Sequence, residues 1–223
     1  MIDRAMERMP IWNPDADSGA RTELAGPARS DHPMNLPNRL TLARFFITLA
    51  FVASLSIDWQ FGHSVALLLF IVASVTDYAD GYIARRYGLV TDFGKLMDPL
   101  VDKIMIAGAF ICLVPAGAIP AWAVVVIISR EFLITGLRLL AASKGLVLPA
   151  ESIGKHKTGW QIATVIFLLL ILAAREFNFG LRDGFLDNAQ TYGGEPLIAV
   201  ALGLTLYSGI GYVWRNRALL VAQ

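Results

Sequence analysis

The sequence predicts an all-α integral membrane protein, a bundle of six transmembrane helices. Three observations point there. Of 223 residues, 56% are hydrophobic and only 17% charged, well below the quarter that soluble domains carry. The apolar residues are clustered, since 104–120, 158–174 and 196–214 contain no Asp, Glu, Lys or Arg. Each run approaches the roughly 20 residues a helix needs to cross a hydrocarbon core of about 30 Å. None shows the polar face that a water-soluble core helix would present.

Taken in order, residues 1–33 are polar and rich in Pro, Gly, Asp and Arg, without periodicity. They read as a disordered N-terminal extension. No apolar segment makes them a signal peptide, and Asp3, Glu7, Asp15, Asp17, Glu23 and Asp31 break the basic character of a mitochondrial presequence. Residues 34–223 form the membrane domain, with helices expected over 38–57, 64–86, 96–116, 119–143, 157–174 and 195–215. Six spans put both termini and the 2–3 and 4–5 loops on one side. That side holds Arg39, Arg85, Arg86, Lys95, Lys144, Lys155, Lys157, Arg215, Arg217 and the basic residues of the extension, whereas the other holds Arg175 and Arg182. The basic side is therefore the cytoplasmic one. The segment from Arg175 to Glu195 is expected as an outward loop with no chemical motif. Cys112, the single cysteine, lies in an apolar run, so no intrachain disulfide forms. The formal net charge of +1 gives no reason to expect a nucleic acid among the partners; membrane lipids are expected instead.

The end of the second helix departs from an ordinary span. It runs into Thr76-Asp77-Tyr78-Ala79-Asp80-Gly81-Tyr82-Ile83-Ala84-Arg85-Arg86. Asp77 and Asp80 are three apart and share a face, and Gly81 and Ala84 leave that face smooth enough for a ligand to approach the backbone. The third helix adds Asp98 and Asp102, four apart, with Pro99 expected near its start. Carboxylates near a bilayer are expensive, about 2.5–3.5 kcal/mol each at the centre of a span, and like charges this close repel. A hard cation resolves both problems. Oxygen-only ligands suit Mg²⁺ or Mn²⁺, and four carboxylates suffice for two ions with one Asp bridging. The plainer alternative, interfacial acids paired with Arg85, Arg86, Lys95 and Lys103, accounts for one Asp–Arg pair but not for four acids at helical spacing beside a Gly and an Ala.

These residues resemble a known signature. Asp77-x-x-Asp80-Gly81-x-x-Ala84-Arg85, then Gly94, Asp98 and Asp102 at fixed spacing, match the complete motif of the CDP-alcohol phosphotransferases. Asn35-Leu36-Pro37-Asn38-Arg39-Leu40-Thr41-Leu42-Ala43-Arg44 is similar to the family's entry into its first helix. Ser129-Arg130-Glu131 and Gly154-Lys155-His156-Lys157-Thr158 resemble its phosphatidylglycerophosphate synthase branch. The likeness runs from about residue 34 to the C-terminus.

The resemblance implies the CDP-alcohol phosphotransferase fold, a six-helix bundle that is a homodimer with a cytoplasmic active site, here in a bacterial inner membrane. It implies transfer of a phosphatidyl group from CDP-diacylglycerol to an alcohol, glycerol 3-phosphate in that branch, with release of CMP. Asp77, Asp80 and Asp98 would be metal ligands, and Asp102 both a ligand and the general base. Gly81, Arg85 and Thr91 match positions contacting the CDP moiety, with Asn38, Thr41 and Arg44 on the nucleotide side. Arg130, Arg138, Lys155 and Lys157 are candidates for the acceptor phosphate. Arg130 leads them because charges within spans face the bundle or a wet cavity, and Glu131 reads as its structural partner. Tyr78, Tyr82, Trp59, Trp122, Trp160 and Trp214 read as core packing or interfacial anchors. Two alternatives stand beside this reading. One is a cardiolipin synthase of the phosphatidyl-transfer type, with phosphatidylglycerol as acceptor. The other is a cation transporter, which would want its acids near the midplane on interrupted helices.

Overall fold

The computed structural model describes residues 36–87, 92–144, 146, 153–177 and 183–217, with backbone alone at 36–38, 79–87, 92–96, 153–156 and 183. The N-terminal extension and Thr91 lie outside the described residues, as do the side chains of Asn38, Asp80, Arg85 and Lys155 and the surroundings of Gly81. Six long helices are present among the described residues: α1 (Leu36–Ser56), α2 (Gly62–Tyr87), α3 (Asp92–Leu113), α4 (Ala121–Ser143), α5 (Ile153–Glu176) and, after the short α6 (Asp183–Ala189), α7 (Glu195–Arg215). All six sit within a few residues of the expected spans.

Two local expectations are corrected. Pro99 is not at the start of α3 but eight residues inside a helix that begins at Asp92. It removes the backbone donor that would meet the Lys95 carbonyl, in the turn just before Asp98. The segment after Arg175 is also not simply a loop. α6 runs through a π-helical stretch, Gln190–Gly194, directly into α7. Its cause is packing. A Cβ on Gly193 would lie 2.5 Å from the Phe167 ring of α5, so only glycine permits this approach, although Gly-Gly in a sequence reads as a break.

The long helices close into a ring. α1 packs on α2 and α3, α2 on α5, α5 on α7, α7 on α4, and α4 back on α3. The core between them contains Phe51, Phe70, Phe110, Leu113, Ile127, Val165, Leu168 and Leu169, all buried. Phe51 and Phe70 pack ring to ring, centroids 5.6 Å apart. Polarity is inverted relative to a soluble bundle. Thr41, Arg44, Thr48, Lys157, Gln161, Thr164, Thr205 and Ser208 are buried, while Leu68, Val75, Val125, Phe132, Leu139 and Ile210 are exposed. Tyr78, Trp59, Trp122, Trp160 and Trp214 are exposed as well, which puts them outside the core. An apolar exterior this extensive requires a nonaqueous surrounding.

Among the described residues three stretches are long and apolar enough to cross a membrane: Arg39–Ser56, Lys157–Glu176 and Gly184–Arg215. α2 adds a shorter apolar stretch, Gly62–Tyr78. α3 and α4 match the others in length, but Asp98, Asp102 and Lys103 interrupt one and Arg130, Glu131 and Arg138 the other. The two helices that look least like spans each carry several charged residues near one another.

Gly193→Ala should lower stability by about 1–3 kcal/mol through overpacking. Thermal unfolding in detergent measures this, and Phe167→Leu in the same chain should recover most of the loss.

Candidate active site

α1 supplies the floor of the acidic half. Thr41, Arg44 and Thr48 follow one another at spacings of three and four, so they share a face, and each is about 1–2% exposed. Thr48 Oγ1 donates to the Arg44 carbonyl at 2.9 Å. Arg44 Nη1 donates to Asp77 Oδ1 of α2 at 2.5 Å and lies 3.9 Å from Asp102 Oδ1 of α3. Thr41 Oγ1 donates to Asp98 Oδ1 at 2.5 Å. Asp77 and Asp102 thus meet the same guanidinium nitrogen from two helices.

The structure thus brings Asp77, Asp98 and Asp102 together over a sealed guanidinium. It gives Thr41 and Arg44 direct contacts with these acids. The side chains of Asp77 and Asp102 remain 39% and 42% exposed, so the acids open outward while Arg44 lies beneath. Among the described residues three carboxylates face one guanidinium, which leaves negative charge in excess. Among the described residues the acids do not close into a three-ligand metal cage by themselves. Their chemistry nevertheless fits a hard divalent cation: the donors are oxygen only, partly exposed and negative in excess. Asp80, Gly81 and Arg85 belong to the same stretch of α2 but lie outside the described side chains.

A basic half adjoins it, and α3 serves both. Lys103 follows Asp102 and is turned by roughly 100° around the helix, so it faces α4, where Nζ donates to Thr135 Oγ1. Glu131 of α4 accepts from Arg130 Nη1 at 3.1 Å and from Lys157 Nζ of α5. Arg130 Nη2 donates to Ser208 Oγ of α7 at 3.0 Å, while its Nε is buried without a hydrogen-bond partner among the described residues. A Cβ on Gly209 would lie 2.9 Å from Arg130 Cγ, so this glycine admits the side chain between α4 and α7. Lys103 and Arg130 both stand close enough to Lys157 to repel it. Among the described residues Arg130 and Lys157 share the one acid, with Lys103 beside them, and the surplus is positive.

Arg138 lies two turns farther along α4, about 12 Å from Arg130. Its Nε donates to the Tyr212 hydroxyl at 3.3 Å, and its guanidinium lies 5.6 Å from that ring's centroid. The described contacts bring Arg130 and Lys157 together and leave Arg138 at a separate point of the α4–α7 seam. Sequence reasoning missed Lys103 as a member of the basic half. Its signal was the one-residue offset from Asp102, which turns it toward a different neighbour.

Glu131→Gln should destabilise the protein by about 2–4 kcal/mol, because it leaves two buried cations without their acid. Glu131→Gln combined with Lys157→Met should recover part of that loss in the same unfolding measurement.

Comparison with known proteins identifies the family. The sequence profile of CDP-alcohol phosphatidyltransferases matches residues 34–206. A CDP-diacylglycerol–glycerol-3-phosphate 3-phosphatidyltransferase of Bacillus subtilis is 46% identical over 148 residues, 61% of this chain and 77% of the relative. Relatives with the same name in Rickettsia felis (36% identical over 178 residues, 80% of this chain and 93% of theirs) and Mycoplasma pneumoniae (34% over 175, 70% and 75%) match as well. The chain is an enzyme of the CDP-alcohol phosphatidyltransferase family.

Proposed function

We propose that this protein transfers the phosphatidyl group of CDP-diacylglycerol to glycerol 3-phosphate and releases CMP. The observation that carries the reading is the adjacency of the two halves on α3. Asp102 faces the acids and Lys103 the cluster of Arg130 and Lys157. A donor with a pyrophosphate and an acceptor with a phosphate of its own need such a pair of neighbouring sites. The names of the relatives in three bacteria support the same assignment.

In this reading Asp77, Asp80, Asp98 and Asp102 hold two Mg²⁺ or Mn²⁺ ions, which supply charge neutralisation at the phosphorus and at the departing CMP. Arg44 fixes the carboxylate of Asp77 and constrains that of Asp102, and Thr41 fixes Asp98. Gly81 leaves room for the nucleotide, and Arg85 and Thr91 bind it, with Asn38 on the same side. Asp102 accepts the proton of the attacking acceptor hydroxyl. Arg130 and Lys157, with Lys103, hold the acceptor phosphate, and the free Nε of Arg130 offers it a further donor. Lys155 and Arg138 extend the basic surface around the entry path. The active site and both termini face the cytoplasm of a bacterial inner membrane, six helices span it, residues 1–33 are an extension outside the catalytic domain 34–223, and the enzyme works as a homodimer.

Purified protein given CDP-diacylglycerol, Mg²⁺ and a panel of alcohols should release CMP with glycerol 3-phosphate. Release with phosphatidylglycerol alone would move the assignment to a cardiolipin synthase. Asp98→Asn retains an oxygen for the Thr41 hydroxyl, so it should fold and yet lose at least about 1,000-fold in turnover. Arg130→Met should raise KM for glycerol 3-phosphate by about tenfold or more while leaving KM for CDP-diacylglycerol unchanged. Equal change in both constants would contradict the acceptor assignment.

A further inference from the structure

At the end of the bundle opposite the acids, Glu176 of α5 caps α2. Oε1 accepts from the His63 backbone N–H at 2.6 Å and contacts His63 Nδ1 at 2.7 Å; Oε2 accepts from the Ser64 N–H at 2.9 Å and from Ser64 Oγ at 2.5 Å. The side chain is only 9% exposed.

Local structure does not explain this residue. Glu176 is the last residue of α5, where an acid opposes the helix dipole, whereas an acid favours a helix N-terminus. α2 has no acid in its own first turn, and the first N–H groups of any helix lack intrahelical partners. Glu176 supplies from 113 residues away what α2 lacks. Arg175 beside it turns the other way, to Asp187 at 2.7 Å and Gln190 at 3.0 Å, and Gln190 Nε2 donates to the Gly117 carbonyl at 3.2 Å. The end of α5 therefore ties α2, the α6–π segment and the α3–α4 turn to one another.

We propose that Glu176 is a positioning residue for the acidic site. α2 carries Asp77 about 21 Å from His63 along the same helix. Between them the buried face of α2 is Ala66, Phe70 and Ala73. Apolar packing of that kind is non-directional. Directional bonds at the two ends set the axial position: Glu176 at the outer end and Arg44 on Asp77 at the inner end. Loss of the outer bonds lets α2 shift, and with it the carboxylate of Asp77 relative to Asp98 and Asp102.

The inference rests on the proposed metal role of these aspartates, and its test separates the two. Mn²⁺ binding to the purified protein, without substrates, is followed by electron paramagnetic resonance for wild type, Glu176→Gln and Glu176→Asp. Thermal unfolding and amide exchange at residues 62–66 are measured alongside. Glu176→Gln places an amide donor against two donors of Ser64. It should speed exchange at 62–66 and weaken Mn²⁺ binding by about tenfold, in keeping with the sensitivity of reacting groups to ångström-scale displacement. Glu176→Asp should recover part of the affinity. Faster exchange and lower thermal stability with unchanged Mn²⁺ affinity would overturn the positioning role and leave a purely structural cap. Absence of Mn²⁺ binding by the wild type would overturn the metal reading itself.

Discussion

A buried guanidinium among carboxylates is the constraint around which the site is arranged. Arg44 is 1% exposed and meets acids from two other helices, Asp77 at 2.5 Å and Asp102 at 3.9 Å. A charge so far out of water is tolerated only when it is paired and hydrogen-bonded. The acids in turn sit in a fold whose exterior is apolar, where an unneutralised carboxylate is costly. Arg44 thus joins α1, α2 and α3 at one level, and Thr41, one turn earlier on the same face, adds Asp98.

The consequence is a site in two halves of opposite sign on one shared helix. α3 shows acids to α1 and α2, and Lys103 to α4. The far half has its own organiser in Glu131, which holds Arg130 and Lys157 together as Arg44 holds the acids. Each organiser is a charge of the minority sign. The surplus negative charge of one half suits cations, and the surplus positive charge of the other suits a phosphate. The ring closure of α1–α2–α5–α7–α4–α3 puts every contributing helix beside the next, so both halves form without a long loop. Serine, threonine and glutamine buried between α5 and α7, such as Gln161 donating to Thr205 at 3.2 Å, extend the polar interior away from the site.

What the sequence made legible was local. Six long helices followed from apolar runs of membrane length, and the acids from spacings of three and four. Both signals lie within a single helix or its neighbour. The contacts that organise the acids were not legible. Arg44 and Asp77 are 33 residues apart, and nothing in α1 alone shows that its arginine turns inward. Glu131 and Lys157 are 26 apart and Glu176 and His63 113 apart; such pairs exist only once helix order in the ring is known. The segment from Arg175 to Glu195 reads as a loop in the sequence, and the packing of Gly193 against Phe167 that accompanies its helical course is a tertiary contact. Pro99 was placed too early because a proline signals a helix start, while α3 had already begun one polar turn before its apolar stretch.

The central claim is that Arg44 and Asp77 act as one unit that shapes the acidic half. A double-mutant cycle with Arg44→Met and Asp77→Asn, read by unfolding stability in one detergent, tests it most directly. Each single variant should be clearly destabilised and the double variant should lose less than their sum, with a coupling of about 1–3 kcal/mol. Losses that add to within about 0.5 kcal/mol would show that the two side chains stabilise the fold independently, and would contradict it.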